Sequence, residues 1–233
     1  MNCFKLLNNN LDNLLKLLYT NKISIILTTC VNVNHNIDVL YQKDKQSRIN
    51  TYVKSINKWI NETNLNIIVV ENSGYSFPQL QSKVNNRFQI ITFDSNKNIE
   101  FNKLKFQTSK GQWEMFAIQY AYKNSDMLQK SEFIIKITGR YYIPNFLNYL
   151  IQKNIMKYDC LIQYKIPNRI DRCEFVGCKK KLFNDIFNEI MPNGLAEAVF
   201  KERIKKYTNL LRCDKLKIEP TTQGGICNIK TFL

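Results

Sequence analysis

The chain has 233 residues, 44% of them hydrophobic and 12% aromatic, which is enough for one sizeable core, while seven glycines and five prolines leave little for long flexible linkers. A formal net charge of +15 favours anionic partners, yet the basic residues are scattered, with short clusters only at 178–181 and 201–206 and no basic tail, so specific nucleic-acid binding is not the first reading. Seven irregularly spaced cysteines without a CxxC pair, and a lone histidine (His35), argue against a structural zinc site and for free thiols in a reducing compartment.

At the N-terminus, Phe4, Leu7, Leu11, Leu14 and Leu18 alternate at spacings of three and four, the face of an amphipathic helix over 1–21 that packs on the domain. Polar residues interrupt it, so it reads as neither a secretory h-region nor a membrane span, and a cytoplasmic location is expected. "ISIILTTC" (23–30) is a continuous apolar, β-branched run, expected as a buried strand. "RINTYVKSINKWI" (48–60) places Ile49, Tyr52, Val53, Ile56, Trp59 and Ile60 on one helical face. "NIIVV" (66–70) is the next strand, running into the turn-rich "ENSGYSFP".

A short helix near 78–85 and a strand at 88–93 follow. "KGQWEMFAIQYAYKNS" opens on a glycine and sets Trp113, Phe116, Ala117, Tyr120 and Ala121 on one face. It leads into the strand 133–137, which stops at Thr138-Gly139-Arg140. Beyond it, helices are expected near 145–154, 180–190 and 195–208, with a strand at 159–165, a basic polar passage through 167–181, and a short extended piece at 216–220.

The alternation predicts one α/β domain with a mostly parallel central sheet flanked by helices. Residues 22–150 would form its ligand-binding half and 151–233 the remainder. Ligands of such sheets sit beyond the carboxyl ends of the strands. The residues to inspect are therefore Thr28, Thr29, Glu71, Asn72, Ser73, Asp94, Asn96, Thr138, Gly139 and Arg140. Neither GxGxxG nor GxxxxGK[ST] occurs, and a lone histidine without a G-x-S-x-G elbow leaves no Ser-His-Asp site.

The order strand, "R…Y…SI..W" helix, "IIVVENSG", "KGQWEMFAIQYA" helix and "KITGRYYIPNF" resembles the nucleotide-sugar-binding half of GT-A-fold glycosyltransferases over roughly 22–150. It is similar to bacterial and large-virus members with K-G-x-x-E and K-x-T-G-R motifs, and the abundance of Asn, Lys, Ile and Tyr fits an AT-rich genome, that of a large DNA virus or a microbial eukaryote. The resemblance implies a single Rossmann-like domain that transfers a sugar from a nucleotide-sugar donor to a glycan or other hydroxyl acceptor, in glycan biosynthesis. It places Thr28 and Thr29 at the base or ribose, and Glu71 and Asn72 near the nucleoside. Gly111 would let backbone approach the donor at a helix N-terminus, beside Lys110. Glu114 would bind sugar hydroxyls or orient Lys110. Thr138 and Gly139 complete the donor site.

The sequence departs from the family where an Asp-x-Asp motif would bind a divalent ion. Here Arg140, helped by Lys110 or Lys136, is expected to neutralise the diphosphate leaving group, so no metal and no other cofactor is expected. The resemblance makes 151–233 the acceptor-side half, and an inverting transfer would draw its general base from there: Glu197, with Glu174 and then Asp171 as rivals; a retaining one would need none. Arg169 and Arg172 either assist phosphate binding or lie on the surface.

Each assignment has a structural alternative. Arg140 could pair with Glu132 or Glu174, Glu71 could cap its turn, Gly111 could merely start a helix, Glu114 could complement a helix dipole, and Glu197 could be a solvated acid. Competing functions are a sugar nucleotidyltransferase and a non-enzymatic basic protein binding nucleic acid or anionic surfaces. The donor, the acceptor, the stereochemical course and self-association are left open by the sequence.

Overall fold

The computed structural model describes residues 16–33, 42–104, 109–163, 172–192, 194–223 and 228–233. Phe4, Leu7, Leu11, Leu14, His35, Arg169 and Asp171 lie outside the described residues. Residues 16–22 form the described part of the N-terminal helix. Leu18, expected on its apolar face, is 46% exposed. Tyr19 takes the inward place instead, and its hydroxyl donates to Asn154 Oδ1 at 2.9 Å.

Among the described residues, seven strands form one sheet in the order β3-β2-β1-β4-β6-β5-β7. They are β1 (Ile23–Thr29), β2 (Asn66–Glu71), β3 (Phe88–Thr92), β4 (Phe133–Thr138), β5 (Cys160–Ile162), β6 (Phe175–Lys179) and β7 (Leu210–Arg212). β1, β2, β3 and β4 are mutually parallel; β6 runs antiparallel to both β4 and β5, and β7 is parallel to β5. β8 (Lys217–Thr222) and β9 (Ile229–Phe232) make a separate antiparallel pair. The architecture is the expected one: an α/β domain with a mostly parallel central sheet flanked by helices.

Helices cover both faces because the strand residues alternate between them. Ile25 and Leu27 of β1, Ile67 and Val69 of β2, and Ile135 and Ile137 of β4 pack with Ile49, Ile56 and Trp59 of α1 (Lys45–Glu62). Ile26, Ile68, Val70 and Ile134 pack on the opposite face with Trp113, Phe116, Ala117 and Ala121 of α2 (Lys110–Lys123). Asp44 caps α1, its carboxylate accepting from the Ser47 backbone N–H at 2.7 Å. Trp59 ties α1 to the chain just past β4 by donating its indole N–H to the Tyr141 carbonyl at 2.9 Å.

Two helices, α3 (Phe146–Gln152) and α4 (Ala196–Ile204), follow the expected positions, but other details differ. The helix near 78–85 is a 3-10 turn, Pro78–Lys83, entered through Phe77 at φ 49°. The helix near 180–190 is a 3-10 turn, Lys180–Leu182, followed by one α-turn, Phe183–Ile186. The passage read as basic and polar contains β6, which lies in the middle of the sheet and carries the glycine that allows it. A Cβ on Gly177 would come within 2.9 Å of Ile135 Cγ1 and 3.0 Å of Phe133 Cε1. β6 therefore inserts beside β4 and joins the two halves of the chain in one sheet.

Candidate functional site

The carboxyl ends of β1, β2 and β4 are level, with Thr28 opposite both Val70 and Thr138, and Thr29 opposite Glu71. Above them opens a cleft of about 570 Å³, bordered by the first turns of α1, α2 and α4. Thr28, Thr29, Asn72, Lys110, Gly111, Glu114, Thr138, Arg140, Glu174 and Glu197, all singled out in the sequence, line it. Glu71 and Gly139 do not.

The floor is an ion pair. Even-numbered residues of β4 face α2, so Lys136 rises beneath that helix's first turn and is fully buried. Its Nζ lies 2.7 Å from Glu114 Oε1 and donates to the Cys173 carbonyl at 2.8 Å. Glu114 Oε1 also accepts from the Thr28 hydroxyl at 2.7 Å. Burial by itself pushes Lys136 towards its neutral form; its neighbours, Glu114 foremost with Cys173 and Glu174 behind it, together outweigh this and hold the pKa above the usual lysine value. Glu114 thus orients Lys136 rather than serving only as a dipole complement.

One wall is cationic. Arg140 is 8% exposed and donates to Gln42 Oε1 at 3.2 Å and the Thr222 carbonyl at 3.5 Å. Neither of its suggested acidic partners is taken up by it: Glu132 pairs with Lys22, and Glu174 with Lys230. Among the described residues Arg140 makes no ion pair. Arg48, on the first turn of α1, donates to the Cys30 and Gln42 carbonyls and to the Tyr52 hydroxyl. The Tyr52 ring lies 5.6 Å from the Arg48 guanidinium and 5.7 Å from that of Arg140. Lys110 has its pKa lowered by burial and then by the positive charges of Arg140 and Arg48. Three cations thus share one side of the cleft.

The acidic residues divide by environment. Glu71 is fully buried, and its carboxylate accepts from the backbone N–H groups of Val31, Ser73 and Tyr75 and from the Ser73 hydroxyl. Burial raises its pKa against those hydrogen bonds. It fixes the loops after β1 and β2, as its capping alternative anticipated. Glu174 faces the cleft with one oxygen on Lys230 and the other buried and unpaired among the described residues. Glu197, in the first turn of α4, lines the cleft with no hydrogen bond or ion pair among the described residues.

The glycines have steric tasks. A Cβ at Gly139 would lie 2.6 Å from Thr29 Cγ2 and 2.8 Å from the Thr28 carbonyl oxygen, so only glycine lets the chain leave β4 tight against β1. A Cβ at Gly111 would meet Ala196 Cβ and N at 3.0 Å, so this glycine lets the N-termini of α2 and α4 touch at the cleft edge. Ser109 reinforces the contact by donating its hydroxyl to the Gly194 carbonyl. Asn72 donates to the Trp113 carbonyl at 3.5 Å while its Oδ1 is buried without a partner among the described residues.

Sequence reasoning passed over Arg48 and Tyr52 as site residues. The available signal was an arginine at 48 on the apolar face of α1, one turn before Tyr52, where a solvated arginine does not belong. Among the described residues, no three His, Cys, Asp or Glu side chains stand close enough together to hold a metal ion. No described helix is long and apolar enough to cross a membrane.

No family model matches the sequence, and no curated protein matches it. Among solved structures, the chain is similar to residues 1–349 of TarS from S. aureus, at 16% identity and TM-score 0.48 over 84% of this chain and 59% of that one. It is similar to a proposed nucleotide-diphospho-sugar transferase from Desulfovibrio desulfuricans G20, at 13% identity and TM-score 0.47 over 82% and 79%. It is also similar to 4-diphosphocytidyl-2C-methyl-D-erythritol synthase from Anaerococcus prevotii DSM 20548, at 12% identity and TM-score 0.45 over 83% and 90%. The likeness is one of fold, and it carries no residue role or reaction to this chain.

Proposed function

We propose that the protein is a glycosyltransferase of GT-A-like fold that binds a nucleotide-sugar donor in the cleft and moves the sugar to a hydroxyl acceptor. The observation that carries this reading is the pairing of Arg140 and Arg48 around Tyr52, two buried guanidiniums with no carboxylate partner among the described residues, beside Lys110. Buried cations without acidic partners are costly unless an anionic ligand completes them. A nucleoside diphosphate supplies that anion, and the cleft lies where ligands of such sheets bind.

In this reading the diphosphate lies against Arg140 and Lys110, and the orphan Asn72 Oδ1 accepts from the base or ribose. The acceptor oxygen attacks the anomeric carbon while the bond from that carbon to the diphosphate breaks. Charge grows on the departing diphosphate, and the fixed guanidinium of Arg140 meets it without reorganising. In an inverting transfer the acceptor proton passes to Glu197, whose carboxylate is at the cleft and not engaged by a neighbour among the described residues. Glu174 is the poorer base because Lys230 holds one of its oxygens. Glu114 and Lys136 act as a floor that positions Thr28.

The test is a panel of UDP-, GDP-, CMP- and dTDP-linked sugars offered with mixed hydroxyl acceptors, reading release of the nucleotide. One nucleotide family should turn over, and Arg140→Ala should abolish the release. No release from any donor, together with polyanion binding that falls steeply with salt, would instead favour a non-enzymatic basic protein.

A further inference from the structure

A second groove, about 240 Å³, opens next to the donor cleft, and Glu197 borders both. Arg172, Lys201, Lys205 and Arg212 line it, over an apolar base that includes Phe200 and Ile204. Glu197, Lys201 and Lys205 recur every four residues and so fall on one face of α4 and its end. Glu202 engages Lys205 at 2.6 Å, and among the described residues Arg212 donates only to the Gln163 carbonyl, at 3.3 Å. Arg172 and Lys201 have no acidic partner among the described residues. Independently, Gln163 is 2% exposed, lines the groove, and leaves its Nε2 amide donors without a partner among the described residues, while its Oε1 accepts from the Glu174 backbone N–H at 3.1 Å.

A groove walled by cations, with a buried amide donor unspent, matches an anion that accepts several hydrogen bonds. We propose that this groove is the acceptor subsite and that it selects acceptors carrying a phosphate or carboxylate near the hydroxyl that is glycosylated. The inference rests on the glycosyltransferase reading for the word acceptor, though not for the anion site itself. The anionic group sits among Arg172, Lys201 and Arg212 and receives a hydrogen bond from Gln163. The reactive hydroxyl then reaches Glu197, at the border with the donor cleft. A neutral sugar would leave those cations and the amide unanswered and would bind more weakly.

The test uses the full chain and three small probes, glycerol 3-phosphate, glycerate and glycerol, with affinities measured by calorimetry at fixed ionic strength. Glycerol 3-phosphate or glycerate should bind, and the stronger of the two identifies the group recognised. Glycerol should bind at least about tenfold more weakly than either. Lys201→Ala combined with Arg212→Ala should cost the anionic probe about tenfold or more, and Lys201→Glu should cost it further, whereas Arg140→Ala should leave it unchanged. Both lysine and arginine are exposed, so the variants are expected to keep the wild-type unfolding midpoint. Equal binding of all three probes, or loss on Arg140→Ala but not on the groove substitutions, would overturn the proposal. Nucleoside diphosphate binding, measured in parallel, separates the two readings. Its absence alongside a functional groove would remove the glycosyltransferase and leave the anion site.

Discussion

Arg140 is held by a ring and two neutral acceptors rather than by an acid. Its removal should therefore cost little stability, no more than about 1 kcal/mol for the lost contact with Tyr52. The same substitution, Arg140→Ala, should weaken nucleoside diphosphate binding by roughly tenfold to a hundredfold. Arg140→Lys should recover only part of that, because a point charge lacks the planar fork. Glu114 behaves in the opposite way. Glu114→Gln strands the fully buried Lys136, and we expect a loss of roughly 3 kcal/mol at neutral pH, towards the low end because the carboxylate still reaches solvent. The folded pKa of Lys136 is raised, so the stability from this pair is fully present below the unfolded value of 10.5 and fades as pH climbs through the folded one. Urea titrations at neutral pH and above 10.5 should therefore show the gap between Glu114→Gln and wild type narrowing. A gap that stayed constant would remove Lys136 from the account.

β6 shows what an element can hide. Gly177 sits within 3.0 Å of the Phe133 ring were it to carry a Cβ, so Gly177→Val should overpack the centre of the sheet and cost roughly 1–3 kcal/mol or more in urea unfolding. The sequence concealed this strand because "EFVGCKKK" places a glycine in the middle and lysines at the end, features that ordinarily weaken a strand reading. β7 is only Leu210–Arg212, too short for any periodicity to register. β1, β2 and β4 were legible because each is an apolar run buried on both faces. Their ends brought Thr28, Thr29, Asn72, Thr138 and Arg140 to one cleft. Glu71 was legible as a strand end that could cap its own turn, but its bond to Val31 was not, since the sequence does not order the loop after β1 beside the loop after β2.

At the scale of the whole molecule, the cleft needs both halves of the chain. β1, β2, β4, α1 and α2 supply its floor and cationic wall, while α4 and the residues before β6 supply Glu197 and Glu174. The net charge of +15 attracts polyanions in general, so affinity alone does not identify a ligand. Selectivity for one nucleotide, lost with one arginine, does. The most direct measurement is calorimetric titration of the protein with UDP, GDP, CDP and dTDP in EDTA, repeated on Arg140→Ala. The account predicts that one nucleoside diphosphate binds without metal and that the arginine variant binds it at least about tenfold more weakly while remaining folded. Equal affinity for all four, or binding that survives unchanged in Arg140→Ala, would contradict it.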